Sequence, residues 1–349
     1  MARGVSTGIP GAISAAQAAA LRGGALPPVE RLRPGLWSIP VPFAVGVPDF
    51  TLCYAIDGGA AGLALIDPGW SDPGSLTALE HGLTAIGRRI DDVSLVLITH
   101  LHLDHLGAAT VIRNRTGASL AMHPLDVGHI RGWAAERVDD AEEARGWGVP
   151  SALLPGVLAA WGTGRGAPVP DPEHFAVDLD LIDGMTVDIG DTRLGVVHTP
   201  GHTDGHVCLL DEADGILFSG DHVLPRINPG VGLGGRTQRN PLDDAIRSLE
   251  RVARLPDAGR LVVAPGHEYR FRGLPDRAAA LIAHRAERTA HVARALDALD
   301  RPTLYDVASL VPFHGGIGSM SGFLLASAVA QTGYHVRALG REDEVRIAD

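Results

Sequence analysis

Four of the six residues in the string HLHLDH, namely His100, His102, Asp104 and His105, carry side chains that bind divalent cations. The apolar run LVLIT precedes them and predicts a short buried strand. His100 and His102 stand two apart at its end, so in extended backbone both project to one side and can reach a single ion. Asp104 and His105 follow where Leu106 and Gly107 begin a predicted helix, and the curvature there can aim them at a second ion a few Å away. Neutral imidazole and carboxylate are suitable zinc ligands. A structural zinc site usually closes four Cys/His positions, whereas this set has no Cys, so the chemistry to expect is catalytic.

Four other apolar runs also end in metal-capable or polar clusters: ALIDPG with Asp67, GVVHTPGHTDGH with His202, ILFSGDH with Asp221, and LVVAPGHE with His267. One strand-end histidine is ordinarily incidental. Several buried strands that all finish this way would gather their side chains along one edge of the sheets, where ligand sites collect. His198, His206 and His222 stand beside these motifs, where each can hydrogen-bond a ligand or a substrate, and His123 in AMHP is a candidate for the cleft wall. Cys53 and Cys208 lie in apolar runs outside any CxxC pair and read as buried thiols.

The HxHxDH string, with the further motifs in the same order, resembles the metallo-β-lactamase fold superfamily over residues 35–275, in particular the glyoxalase II-like and small-molecule hydrolases with a C-terminal helical domain. The resemblance implies an α/β fold: an αββα metallo-β-lactamase sandwich followed by a small helical, winged-helix-like domain. It implies that His100, His102 and His202 hold one metal, that Asp104, His105 and His267 hold the other, and that Asp221 bridges them. Asp67 is then a carboxylate that orients a ligating imidazole, and Asp104, Asp67 and His206 form the catalytic group beside the metals. The expected cofactors are two zinc ions per chain, with iron or manganese as other occupants.

Zinc lowers the pKa of bound water to about 7, so the resulting hydroxide would open an ester, thioester or lactone of a small molecule. Other reactions share this machinery: hydrolytic dehalogenation, phosphodiester hydrolysis and, with a single iron, sulfur dioxygenation. A DNA-binding regulator acting through the C-terminal domain is a further alternative.

The elements that must position these residues follow from periodicity. LWSIPVPF, DFTLCYAID and GLALIDPG read as strands and residues 75–86 as a helix. Residues 1–34 form a Pro/Gly-rich arm, 35–275 the main domain and 276–349 the helical domain. Within the main domain, residues 126–166 break the pattern as a helical insertion carrying Trp133, Trp147 and Trp161, a candidate lid over the cleft. The tail reads as three helices, one opened by Pro302, Thr303 and Asp306, and then a short strand EVRIA.

Composition narrows the partners. The 349 residues carry a formal net charge of −11, and all 30 basic residues are Arg. Nucleic-acid binding draws its non-specific affinity from a basic surface, which this balance disfavours, so a small-molecule substrate is expected and nucleic acid is not. In the tail, the Arg residues of HRAERTAHVARALD alternate with acids, as on a solvated helix face. No signal peptide is expected from the Gln17- and Arg22-interrupted N-terminal segment, and no apolar stretch approaches the roughly 20 residues of a spanning helix. The expected setting is cytoplasmic, off the membrane, with a homodimer as the protein partnership to test.

Overall fold

A computed structural model describes residues 9–43, 50–162, 175–235 and 237–348, the side chains of 133–141 and 160–162 excepted. Two sheets face each other. The first runs in the order β1 (Glu30–Arg33), β2 (Leu36–Pro42), β3 (Phe50–Asp57), β4 (Leu63–Ile66), β5 (Val93–Leu97), β6 (Ser119–Met122) and β7 (Leu179–Asp180). It is antiparallel from β1 to β4 and parallel from β4 to β7. The second has β8 (Thr186–Ile189), β9 (Thr192–His198), β10 (Val207–Asp211) and β11 (Ile216–Gly220) antiparallel in sequence order. Strand β12 (Val262–Pro265) lies parallel to β11 at the edge.

Side-chain alternation assigns the layers. Along β3, Phe50, Leu52, Tyr54 and Ile56 enter the core between the sheets with Leu194, Val196, Leu209 and Phe218, while Cys53 and Ala55 enter a second core with Leu79, Leu83 and Ile112. Those last three belong to α2 (Pro73–Ala85) and α4 (Ala109–Thr116). Along β10, Val207 and Leu209 face inward, while Cys208 and Leu210 pack beneath α7 (Pro241–Val252) and α8 (Leu274–Ala298) with Leu249 and Leu281. Strands covered on both faces explain the uninterrupted apolar runs in the sequence. The layers are therefore αββα.

Helix starts follow ordinary capping chemistry. Asp72 Oδ1 accepts the Gly74 and Ser75 N–H groups at the head of α2, and Asn240 does the same for Leu242 at α7, with Pro at the first helical position of each. The remaining helices are α1 (Ala15–Gly23), the short α3 (Leu103–Leu106), α5 (Pro124–Gly146), α6 (Leu154–Gly162), α9 (Leu304–Leu310) and α10 (Gly322–Leu339).

The segment expected as a helical insertion contains most of α5, which starts earlier, at Pro124, and α6, and its residues 163–166 lie outside the described residues. Trp147 is packed with Val149, Val157, Leu325 and Val329, in a cluster shared with α9 and α10. That is a packing role against the C-terminal helices. The side chains of Trp133 and Trp161 lie outside the described residues.

The C-terminal region is helical, but EVRIA forms no strand. Glu342–Glu344 is a turn of 3-10 helix, after which Arg346 N–H donates to Pro302 O and Ala348 N–H to Gly146 O. Those two bonds go to different neighbours, so no ladder forms. Among the described residues no helix is long and apolar enough to cross a membrane.

Candidate metal centre

The cluster sits where β4, β5, β9, β11 and β12 end. Direct bonds between the sheets fix that edge: Leu52 N–H to Gly266 O at 2.7 Å, Val207 N–H to Thr99 O at 2.9 Å, and the Tyr54 hydroxyl to Pro265 O at 2.8 Å. The strand-end residues therefore hold fixed positions across the two sheets.

Two groups of ligand-type atoms result. One comprises His100, His102, His202 and Asp221, the other Asp104, His105 and His267, and within each group the ligand atoms all lie within 4.8 Å of one another. Asp221 faces both. Its Oδ2 is 3.6 Å from His202 Nε2, while Oδ1 is 3.4 Å from His267 Nε2 and 3.5 Å from His105 Nε2. Asp104 Oδ2 lies 3.4 Å from His267 Nε2. His102 and Asp104 are the partly exposed members, which puts the open face of the centre on their side.

Each imidazole is held by its far nitrogen, and the acceptor there sets the tautomer. His102 Nε2–H donates to Leu233 O (2.9 Å), His202 Nδ1–H to Gly230 O (2.8 Å) and His267 Nδ1–H to Phe50 O (2.7 Å). Asp67 serves the other two. Its Oδ2 accepts His105 Nδ1–H at 2.8 Å and the Thr99 hydroxyl at 2.7 Å, and Thr99 Oγ1 in turn accepts His100 Nδ1–H at 3.0 Å. Asp67 Oδ1 takes the Thr99 N–H at 2.8 Å. Asp67 itself adopts φ 52°, a strained left-handed conformation for a non-glycine residue.

These tautomers leave lone pairs converging. His102 Nδ1 is 2.9 Å from His100 Nε2 and 3.1 Å from His202 Nε2, with the ring protons all committed outward. Asp221 Oδ1 is buried without a hydrogen bond. Such an arrangement is repulsive unless a cation lies among the donors, and imidazole with carboxylate suits zinc-type cations. The residues fit the group that the resemblance implies. At Gly266, a Cβ would fall 2.5 Å from His105 Cε1 and 2.8 Å from Asp221 Oδ1, so the backbone approaches the centre as only glycine allows.

Electrostatics divide the histidines. Burial, with the neighbouring imidazoles, depresses His100 far below the usual histidine range, lowers His102, and takes His202 down to about 4. All three are neutral, as imidazoles that could hold a cation must be. Burial also disfavours charge on His105 and His267, but Asp221 and the other carboxylates outweigh it and raise both. Asp221 and Asp104 are held low against their own burial, Asp221 chiefly by His267 and Asp104 by His105. Both carboxylates are thus ionised and available.

His206, expected in the catalytic group, stands behind Asp221. Its Nδ1–H donates to Thr199 Oγ1 at 2.8 Å and its Nε2 accepts the Asp221 N–H at 3.2 Å, so both nitrogens are in use and the ring positions the Asp221 backbone. His123 caps α5, accepting Leu125 N–H at 3.2 Å, and stacks on His198 at 4.2 Å between ring centroids. Cys53 and Cys208 are buried free thiols, pushed up by burial, Cys208 to about 12.

Three positioning groups escaped the sequence reading. Thr99 links Asp67 to His100. Asp126, fully buried, accepts Leu101 N–H (2.9 Å), the Thr203 hydroxyl (2.8 Å) and Gly205 N–H (2.6 Å), tying the HLHLDH and TPGHT loops to the start of α5. The carbonyls of Gly230 and Leu233 come from a Gly-rich loop without metal-binding side chains. An acid shortly after HP at a helix start reads as an ordinary N-terminal charge, so Asp126 had no distinguishing signal.

Comparison with known proteins agrees with this geometry. The family model described as the metallo-beta-lactamase superfamily matches residues 46–267. The chain is 30% identical to a crystallised metallo-beta-lactamase family protein from Thermus thermophilus, with a TM-score of 0.73 over 90% of this chain and 95% of that one. A probable metallo-hydrolase from Bacillus subtilis is 27% identical over 66% of this chain and 69% of its own length. An acyl-coenzyme A thioesterase from Bos taurus is 30% identical over 50% of this chain and 55% of its own. With five strand-end motifs meeting at one centre, the chain belongs to the metallo-β-lactamase superfamily and is a metal-dependent hydrolase.

Proposed function

We propose that the chain holds two zinc ions and hydrolyses a small-molecule thioester or ester. The observation that carries the two-ion reading is Asp221, whose two oxygens face different ligand groups while Oδ1 lacks any hydrogen bond. His100, His102 and His202 would hold one ion and Asp104, His105 and His267 the other. When bound, such ions supply a water nucleophile at neutral pH and neutralise charge that develops on the scissile group.

The chain's own residues do the rest. Asp104, at the open face, would orient the attacking water by accepting a hydrogen bond from it. Asp67 and the Gly230, Leu233 and Phe50 carbonyls hold the imidazoles in register. The Phe43 ring stacks on Trp70 at 5.9 Å and meets His267 edge-on at 6.1 Å, an apolar wall beside the second group that suits an acyl portion. The thioesterase relative supports the same substrate class. We infer that nucleic acid is not a substrate: in the C-terminal helices Arg277 and Arg285 are buried, and Arg288 lies over the Phe313 ring, so these cations serve the fold.

The test is a turnover panel with zinc-loaded protein on acyl-coenzyme A and glutathione thioesters, carboxylic esters, lactones, β-lactams and phosphodiesters. We expect the highest kcat/KM on a thioester or ester, abolished by chelation and restored by zinc. Faster turnover of a phosphodiester or of RNA would overturn the substrate class.

A further inference from the structure

The C-terminal helices hold a loop, residues 229–233, that also touches the candidate ligands, so it has bonds on both of its edges. On the inner edge, Gly230 O and Leu233 O receive the ring protons of His202 and His102 at 2.8 and 2.9 Å. The loop backbone also donates from Gly232 N to Gly201 O at 2.8 Å and from Leu233 N to His202 O at 2.9 Å. The loop therefore sets the rotation of two rings in the first ligand group.

The outer edge is held by α8 and α10. Gln331 Oε1 accepts the Val231 N–H at 3.2 Å, and its amide is oriented by donating from Nε2 to Ser327 Oγ at 2.7 Å. Tyr334 donates its hydroxyl to Gly232 O at 3.3 Å, and its backbone carbonyl accepts from Asn240 Nδ2 at 3.0 Å, beyond the end of the loop. Gly232 has φ +68°, and a Cβ there would fall 2.3 Å from the Tyr334 ring, so ring and backbone lie in direct contact. From α8, Arg285 reaches Pro229 O at 3.3 Å, and Arg277 holds Leu224 O and Ile227 O, each at 2.7 Å. No side chain of α8 or α10 is among the two groups of ligands.

We propose that Gln331 and Tyr334 are positioning residues for the ion held by His100, His102, His202 and Asp221, acting through Val231 and Gly232 on the carbonyls that orient His202 and His102. The C-terminal region thereby sets the affinity of one metal site and leaves the other alone, since His105 and His267 are oriented by Asp67 and Phe50. This inference rests on the two-ion reading above. Groups that orient metal ligands typically change affinity about 10- to 100-fold, and one further step outward puts the effect near the lower end.

The test uses the full chain, stripped of metal and titrated with zinc against a chromophoric chelator. In the double variant Gln331→Leu, Tyr334→Phe, one of the two zinc dissociation constants should rise about tenfold while the other stays within about twofold of wild type. Gln331→Glu, which keeps an oxygen acceptor for Val231 N–H, should retain the wild-type constants, and Tyr334→Phe alone, lacking one oxygen atom, should give a smaller loss at the same site. Unchanged constants in the double variant, or an equal rise in both, would overturn the positioning role while leaving the two-ion reading intact. A wild-type chain that takes up no zinc would overturn both.

Discussion

Asp221 differs from its neighbours in that each of its two oxygens faces a different ligand group, and Asp67 differs in serving two imidazoles from one carboxylate. The Asp67 network yields a specific expectation. In Asp67→Asn, an amide N–H in place of Oδ2 would confront two of the three donors now facing the carboxylate, the His105 Nδ1–H and the Thr99 hydroxyl, and the orientation of His105 would suffer first. Zinc affinity at the site of Asp104, His105 and His267 should fall about 10- to 100-fold, read by chelator competition, and unchanged affinity would argue against the network. Residues with metal-binding side chains were legible in the sequence because each stands at the end of an apolar run. Thr99 was not, since a hydroxyl beside a histidine has no distinguishing spacing, and its role depends on Asp67 arriving from another strand. His206 was read too close to the chemistry because a histidine in a motif looks the same whether its nitrogens face the cleft or the protein.

Among the elements, the strands that lead into the motifs were readable from their apolar runs, and α2 (Pro73–Ala85) from the helical spacing of residues 75–86, though its start at Asp72 and Pro73 was not. The link between α5 and the two ligand loops was not, because it consists of one carboxylate, Asp126, bonded to backbone distant in sequence. Burial raises Asp126 to about 6, against the donors Thr203, Gly205 and Leu101 that favour its charged form. A carboxylate whose folded pKa lies above its unfolded value near 3.9 holds more protons when folded, so its contribution to stability declines as pH rises between about 4 and 6 and is flat above that. Asp126→Asn has no such titration. Chemical denaturation of wild type and variant should therefore give a stability difference that shifts against the wild type from pH 4 to pH 6; a difference that shifts in favour of the wild type over that range would contradict a raised pKa. EVRIA was misread for a related reason: its alternation suits a strand, but the neighbours that meet it are Pro302 and Gly146, single backbone acceptors with no strand behind them.

On the scale of the whole molecule, three arginines of this acidic chain, Arg270, Arg277 and Arg285, are buried among the described residues. Arg277 and Arg285 hold the loop after Asp221, and Trp147 joins α5 to the C-terminal helices, so the segments most open to interpretation as binding surfaces are built into the support of the centre. That division of labour was illegible in the sequence, since it depends on contacts such as Val231 to Gln331, a hundred residues apart. The central claim is that two ions share Asp221, and the most direct measurement is elemental analysis of the zinc-loaded, gel-filtered full chain beside Asp221→Ala. The account predicts about two zinc ions per wild-type chain, and fewer than one in the variant with hydrolysis lost. A wild type that holds a single ion at saturation, or an Asp221→Ala chain that keeps two ions and full activity, would contradict it.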